Sequence, residues 1–171
     1  MISRIKSKKW NLRSIVKEIL IAMVLVFILS NIMSYLRQPD LDSSELPKIE
    51  VQLLDGSLFT APKDQPILIH FWALWCPTCK FEVSNIEAVS KKYKVLTIVV
   101  NSGSDEEVQA YMQEQNLSFK VFNDAEGTWA KRFKVEAYPT TFIYDAKGEL
   151  RFSEVGYTST AGLFARFEWI K

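Results

Sequence analysis

The hydrophobic positions of this chain follow two different rules. Across residues 19–36 the run ILIAMVLVFILSNIMSYL is apolar on every helical face, diluted only by Ser30, Asn31 and Ser34. A helix that crosses a bilayer needs roughly 17 to 25 such residues, so the run predicts one membrane-spanning segment. From residue 48 onward the pattern breaks into short pieces. Residues 49–53 and 58–60 flank the turn dipeptide Asp55-Gly56 and predict a small antiparallel pair. ILIHFW, residues 67–72, is nearly continuous and suits a strand buried on both faces. A helix from Pro77 to about Lys92 follows: Cys79, Val83 and Ile86 recur at helical spacing, Pro77 suits a first turn, and Lys91, Lys92 and Lys94 lie at the negative end of the dipole. VLTIVV, residues 95–100, predicts a second buried strand. Residues 105–116 and 126–133 read as two further helices. Residues 141–144 and 150–154 then read as strands around Lys147-Gly148, and residues 161–169 as a closing helix. This order predicts an α/β sandwich.

The chain of 171 residues thus divides into a basic segment (1–18), a spanning helix (19–36), a linker (37–47) that includes the polar stretch QPDLDSSELP, and one domain (48–171). Lys and Arg (21) nearly balance Asp and Glu (20), which removes the electrostatic signature of a nucleic-acid binder and predicts no nucleic-acid partner. The distribution of charge says more than its sum. Arg4, Lys6, Lys8, Lys9, Arg13 and Lys17 precede the apolar run, whereas Arg37 is followed by Asp40, Asp42 and Glu45. That asymmetry predicts a cytoplasmic N-terminus and an extracytoplasmic domain. A cleaved signal peptide is the main rival; the long basic region and the lack of a small-x-small site after the run argue for retention as an anchor. A buried core helix is the third reading, and apolarity on every face argues against it.

The candidate chemistry lies in WCPTC, residues 75–79. Cys76 and Cys79 are the two cysteines of the chain, and the predicted elements put them where a buried strand gives way to a helix. Free N–H groups and the positive end of the helix dipole favour a thiolate at Cys76, which makes it the attacking sulfur. Cys79, one turn along and facing the core, would act second and resolve a mixed disulfide. Three blander readings compete. A structural disulfide closing so short a loop restrains the unfolded chain little. Zinc wants four ligands, and the chain offers two cysteines and the single histidine His70, so no metal site is expected. Two inert buried cysteines are the third, against which the helix-start position argues.

FWALWCPTCK, followed some sixty residues later by YPTTFIYDAKGEL and by Gly156, resembles the thioredoxin superfamily, and within it the membrane-tethered TlpA, ResA and DsbE branch. The resemblance covers residues 48–171. It implies a thioredoxin-like fold, with a central mixed sheet, helices on both faces and an extra N-terminal β-hairpin. It also implies protein-disulfide oxidoreductase activity with no cofactor beyond the redox-active cysteine pair. NDAEGTWAKRFKVEAYPTTF is similar to the segment that leads into the cis-proline of that branch, making Tyr138-Pro139 the candidate cis bond; from the residues alone Pro139 is an ordinary turn proline. In the family this loop faces the disulfide and offers the backbone of the residue before proline to a partner's cysteine segment. Trp75, Pro77, Thr78, Tyr138 and Pro139 are the substrate-binding residues the resemblance implies.

Glu82 stands three residues after Cys79 and resembles an acidic residue of the ResA-like and DsbE-like proteins, where it would take or deliver the proton of the buried thiol; the other reading is a solvated helix-surface acid. His70 occupies the place where thioredoxin itself has a buried aspartate. It is either a base for Cys79 near neutral pH or a packed core histidine. A histidine there, with WCPTC and an anchor, looks most like the suppressor-for-copper-sensitivity thioredoxin-like proteins of Gram-negative bacteria. That likeness implies a monomer on the inner membrane with a periplasmic catalytic domain, reduced by a membrane electron donor resembling DsbD and passing electrons to an oxidised client tied to copper tolerance. Reduction of apocytochrome c is the neighbouring role. A disulfide-forming oxidant and a copper- or client-binding module without turnover are the other function classes. Phe71, Trp72, Trp129 and Phe133 are read as core, and no phosphate loop, HExxH or Ser-His-Asp set is present.

Overall fold

The computed structural model describes residues 12–41 and 43–170; Arg4, Lys6, Lys8, Lys9 and Asp42 of the charge pattern lie outside the described residues. The chain separates into two compact units, Met1–Leu36 and Arg37–Lys171.

Among the described residues, the first unit contains one helix, α1 (Leu12–Leu36). Its 25 residues span about 37 Å at 1.5 Å per residue, more than the roughly 30 Å of a bilayer's hydrocarbon. It begins seven residues before the apolar run, because nothing from Leu12 to Glu18 breaks a helix. Its apolar side chains are exposed on all sides. Two of the polar residues that dilute the run turn inward on the helix: Ser30 Oγ and Asn31 Nδ2 both donate to the Phe27 carbonyl, at 2.9 and 2.7 Å. Hydrogen bonding to its own backbone lets a polar side chain enter hydrocarbon without a lost bond. Among the described residues this is the one helix long and apolar enough to cross a membrane.

The second unit opens with the hairpin β1 (Glu50–Gln52) and β2 (Leu58–Thr60), paired Val51 to Phe59 around the Asp55-Gly56 turn, where Gly56 takes the left-handed φ of +78° that the tight turn requires. Then follow β3 (Ile67–Trp72), α2 (Pro77–Ser90), β4 (Lys94–Val100), α3 (Asp105–Glu114), β5 (Lys120–Asp124), α4 (Thr128–Arg132), β6 (Thr140–Tyr144), β7 (Leu150–Val155) and α5 (Thr160–Trp169). The central sheet has the order β5-β4-β3-β6-β7. β3 pairs parallel with β4, and β4 with β5; β6 pairs antiparallel with β3 and with β7.

The sheet has a helix layer on each face. Leu68 and Trp72 of β3, with Val95, Val99 and Ile143, pack against α2, α3 and α5. Ile67, Ile69 and Phe71, with Leu96, Ile98 and Phe142, pack against α4 and the hairpin. β3 is buried at all six positions, which is why its sequence reads as an unbroken apolar run with one interruption, His70.

Two segments differ from the sequence reading. β5 has no counterpart in it: KVFND carries two adjacent apolar residues, Val121 and Phe122, and neither alternation nor a run, so its strand conformation comes from pairing with β4 (Thr97 to Val121, Ile98 to Phe122). The helix expected over 126–133 is correspondingly shorter, with Gly127 as its left-handed N-cap. Part of the expected linker is also bonded to the domain. Glu45 bridges Glu149, the Leu46 N–H donates to the Gly148 carbonyl at 2.7 Å, and the Leu150 N–H donates to the Ser44 carbonyl at 2.7 Å. Residues 44–46 thus cover the turn joining β6 and β7.

Candidate active site

β3 ends at Trp72, and Ala73 to Trp75 carry the chain to Cys76, the N-cap of α2. Cys76 has extended dihedrals (φ −90°, ψ 110°), and its Sγ accepts from the Cys79 N–H at 3.2 Å. This is the place a serine or aspartate oxygen takes in an ordinary N-cap. Pro77, which has no N–H to leave unpaired, occupies the first turn. Cys76 and Cys79 form a disulfide with Cα atoms 5.3 Å apart. The sulfurs are unequal in access: Cys79 is sealed, and Cys76 keeps 5% exposure. Between them Pro77 and Thr78 are exposed.

Three loops surround the pair. The first follows β4. Ser102 Oγ accepts from the Leu74 N–H at 3.0 Å and donates to the Val100 carbonyl at 2.8 Å, while Trp75 Nε1 donates to the Asn101 carbonyl at 3.1 Å. The Trp75 ring is 59% exposed yet held in place, with the Tyr138 ring edge-on at 5.6 Å. The second loop carries the Tyr138-Pro139 bond, which is cis. The Tyr138 carbonyl oxygen lies 3.6 Å from Cys76 Sγ. The third loop joins β7 to α5, and the Gly156 N–H donates to the Pro139 carbonyl at 2.8 Å.

Glu82 is wholly buried. It sits in the second turn of α2 on the same face as Cys79, so the reading of it as a solvated surface acid does not hold. Its Oε1 accepts from the Thr158 N–H at 2.9 Å, and its Oε2 has no partner among the described residues. Burial disfavours the carboxylate and pushes its pKa up to about 8, against the smaller opposing effect of the Thr158 N–H. At neutral pH the carboxyl of this oxidised form therefore holds its proton.

His70 is 1% exposed and faces the same layer as Leu68 and Trp72. Its Nδ1 is hydrogen-bonded to Thr141 Oγ1 at 2.9 Å, and Nε2 has no partner among the described residues. Burial lowers its pKa to about 3. An imidazole of that basicity stays neutral at pH 7, so the role of base near neutral pH does not suit it. Neither Glu82 nor His70 is hydrogen-bonded to a sulfur. What joins them to the pair is the shared layer between α2 and the sheet.

The sequence reading did not single out Asn85, Asn101, Ser102, Thr141 or Thr158 as site residues. Ser102 lies 28 residues from the Leu74 N–H it receives, and Thr158 76 residues from Glu82. Nothing local marks such residues.

Residues 43–153 match the model of the AhpC/TSA family. A thioredoxin-like protein of Haemophilus influenzae is 27% identical over 159 residues, covering 91% of this chain and 94% of that protein. The thioredoxin-like protein YneN of Bacillus subtilis is 31% identical over 67% of this chain and 72% of its own length. Sporulation thiol-disulfide oxidoreductase A of the same organism is 28% identical over 62% and 69%. Among solved structures, StoA from Bacillus subtilis superposes with a TM-score of 0.65 at 21% identity, over 72% of this chain and 98% of that one. A thiol:disulfide interchange protein DsbE from Chlorobium tepidum does so with 0.68 at 18%, over 77% and 99%. The fold is thus thioredoxin-like, and the redox centre is the cysteine pair itself. Because the matched segment spans most of the chain and contains that pair, the protein belongs to the AhpC/TSA family, as one of its thioredoxin-like thiol-disulfide oxidoreductases.

Proposed function

We propose that the protein works on the extracytoplasmic side of a bacterial inner membrane, held by α1 with its N-terminus in the cytoplasm, and reduces disulfides of partner proteins. The observation that carries the reading is Cys76 as N-cap of α2, its sulfur against the Cys79 N–H at 3.2 Å. In the dithiol form that N–H and the helix dipole stabilise a thiolate at Cys76. The thiolate attacks one sulfur of the client disulfide; the client S–S bond breaks, a client thiolate leaves, and a mixed disulfide joins the two proteins. In the fraction of molecules in which Glu82 is a carboxylate, the minority near neutral pH, Cys79 then gives it its proton and attacks Cys76 Sγ. The second client sulfur leaves, so two electrons have passed to the client and the enzyme holds its internal disulfide. A protonated Glu82 beside that disulfide is the product this step requires, and burial favours that form. Trp75, Pro77, Thr78 and the Tyr138-Pro139 loop receive the client segment. His70 acts as a packed neutral residue that keeps charge out of the layer below the sulfurs.

A membrane electron donor resembling DsbD restores the dithiol, and the enzyme acts as a monomer. The client belongs to a copper-tolerance or cytochrome c maturation system. Of the relatives, several are named as DsbE or ResA thiol-disulfide proteins.

Substituting Cys79→Ala removes the resolving sulfur and leaves Cys76 joined to its clients. In membranes from cells expressing that variant, we expect disulfide-linked adducts that collapse on reduction and are absent from Cys76→Ala, with mass spectrometry naming donor and client. A Cys79→Ala protein that folds, binds to membranes and gathers no adducts would sink the proposal.

A further inference from the structure

The loop between β7 and α5 is gripped from one face of α2. Thr158, 8% exposed, is held at both ends of its backbone: its N–H donates to Glu82 Oε1 at 2.9 Å, and its carbonyl accepts from Asn85 Nδ2 at 2.9 Å. The other half of the Asn85 amide is also engaged, since Oδ1 accepts from Thr160 Oγ1 at 2.8 Å. Glu82 and Asn85 are three residues apart, so their side chains leave the helix on one side. Water satisfies a half-buried asparagine as well as protein does; what two bonds to residues 158 and 160 add is position. The Thr158 N–H and carbonyl are separated by only that residue's two backbone dihedrals, so holding the carbonyl narrows the directions open to the N–H.

We propose that Asn85 is a positioning residue for the proton chemistry of the site: by holding the Thr158 carbonyl and the Thr160 hydroxyl it keeps the Thr158 N–H aimed at Glu82, and so sets the pH at which Glu82 exchanges its proton with Cys79. This rests on the reading of Glu82 as the proton carrier. Glu82 is pulled two ways, toward the acid by burial and toward the carboxylate by the Thr158 N–H, and Asn85 governs the second. The other titratable and charged groups on α2 and the elements packed around it include His70 on β3, Tyr111 on α3, Tyr157 beside Thr158, the Glu87–Lys91 pair along α2, the Arg166–Glu154 pair joining α5 to β7, and Lys92, Tyr93 and Glu168 at the far end of α2 and α5. Tyr138 faces Cys76 from the cis-proline loop, and the two cysteines share α2 with Glu82. None of these is bonded to Asn85. Loosening the grip therefore weakens the hydrogen bond that favours the carboxylate, and Glu82 keeps its proton to higher pH.

The test is the pH dependence of disulfide reduction by the full chain in detergent, with insulin as substrate, for the parent and for Asn85→Ala, Thr160→Val, Glu82→Gln and the double variant Asn85→Ala/Glu82→Gln. Asn85→Ala is expected to move the midpoint upward by about one pH unit, a tenfold change in proton affinity. Thr160→Val leaves the Asn85–Thr158 bond and should move it less, in the same direction. In the Glu82→Gln background Asn85→Ala should add nothing. If Glu82→Gln displaces the profile and Asn85→Ala does not, the positioning inference is overturned and Glu82 stands; if Glu82→Gln leaves the profile in place, both fall. A shift by Asn85→Ala that persists in the Glu82→Gln background also overturns it. Should Asn85→Ala fail to fold by circular dichroism, an unshifted Thr160→Val profile overturns the inference instead.

Discussion

The two faces of the central sheet are built from the same strands and do different work. On the face toward α4 and the hairpin, Ile67, Ile69, Phe71, Leu96, Ile98 and Phe142 meet a group of aromatic rings: Phe71 lies 5.1 Å from Phe133 and 5.9 Å from Phe142. Its buried titratable side chains are the Asp124 carboxylate, which accepts from the Ala130 N–H at 2.9 Å, and the Tyr144 phenol, which burial pushes upward and keeps neutral. On the face toward α2 and α5 the apolar packing is interrupted by a row that runs through neighbouring strands, Thr97, His70 and Thr141, each opposite the next. His70 Nε2, Trp72 Nε1 and Glu82 Oε2 are buried in that layer without partners among the described residues. An unpaired buried polar atom costs stability. Tyr144 Oη is such an atom on the α4 face, amid aromatic packing; the α2 face has three beneath the cysteines, two of them on titratable side chains. The difference teaches where to separate stability from chemistry: substitutions on the two faces should fail in different ways.

The largest effect is expected on the apolar face. Phe71→Ala removes a fully buried ring and should cost about 3–5 kcal/mol in urea unfolding of the full chain in detergent. The pH profile of the folded fraction should not move; a displaced profile would erase the distinction between the faces.

Next come two opposite pH dependences from the α2 face. The unfolded Glu82 carboxyl loses its proton near 4.5 and the folded one near 8, so in that window the folded state holds the extra proton and stability falls as pH rises. His70 works the other way. Unfolded, it takes a proton near 6.5, and folded near 3, so stability falls as pH drops through that range. Between 4.5 and 6.5 the two dependences oppose each other, so Glu82→Gln should flatten the fall in stability from about pH 6.5 to 8, and His70→Asn the fall from about 4.5 down to 3. Unfolding of the oxidised protein at several pH values reads both. Parallel curves for parent and variants would show that these groups are not the source.

The smallest effect on stability belongs at the rim. Trp75→Ala removes an exposed ring with one hydrogen bond and should cost less than about 1 kcal/mol. Its kcat/KM for a protein disulfide should nonetheless fall about tenfold, equivalent to 1.4 kcal/mol, while reduction of a small disulfide changes little. Equal losses on both substrates would remove Trp75 from client binding.

The sequence by itself determined what depends on neighbours along the chain. An 18-residue run diluted by only three polar residues makes a helix that water cannot solvate well; ILIHFW followed by Pro77 makes a buried strand that stops and a helix that starts; WCPTC puts one sulfur at that start and the other a turn later. The tertiary structure decided what depends on partners far away. KVFND becomes a strand because β4 supplies its hydrogen bonds. Glu82 becomes a buried acid because α5 and its preceding loop close over it and bring the Thr158 N–H from 76 residues on. His70 loses its basicity because strands on both sides and a helix layer keep water from it. Short-range pattern fixes backbone form, since dihedrals and helical facing are local. Burial and proton affinity are not local, since they depend on how much water the assembled layers exclude.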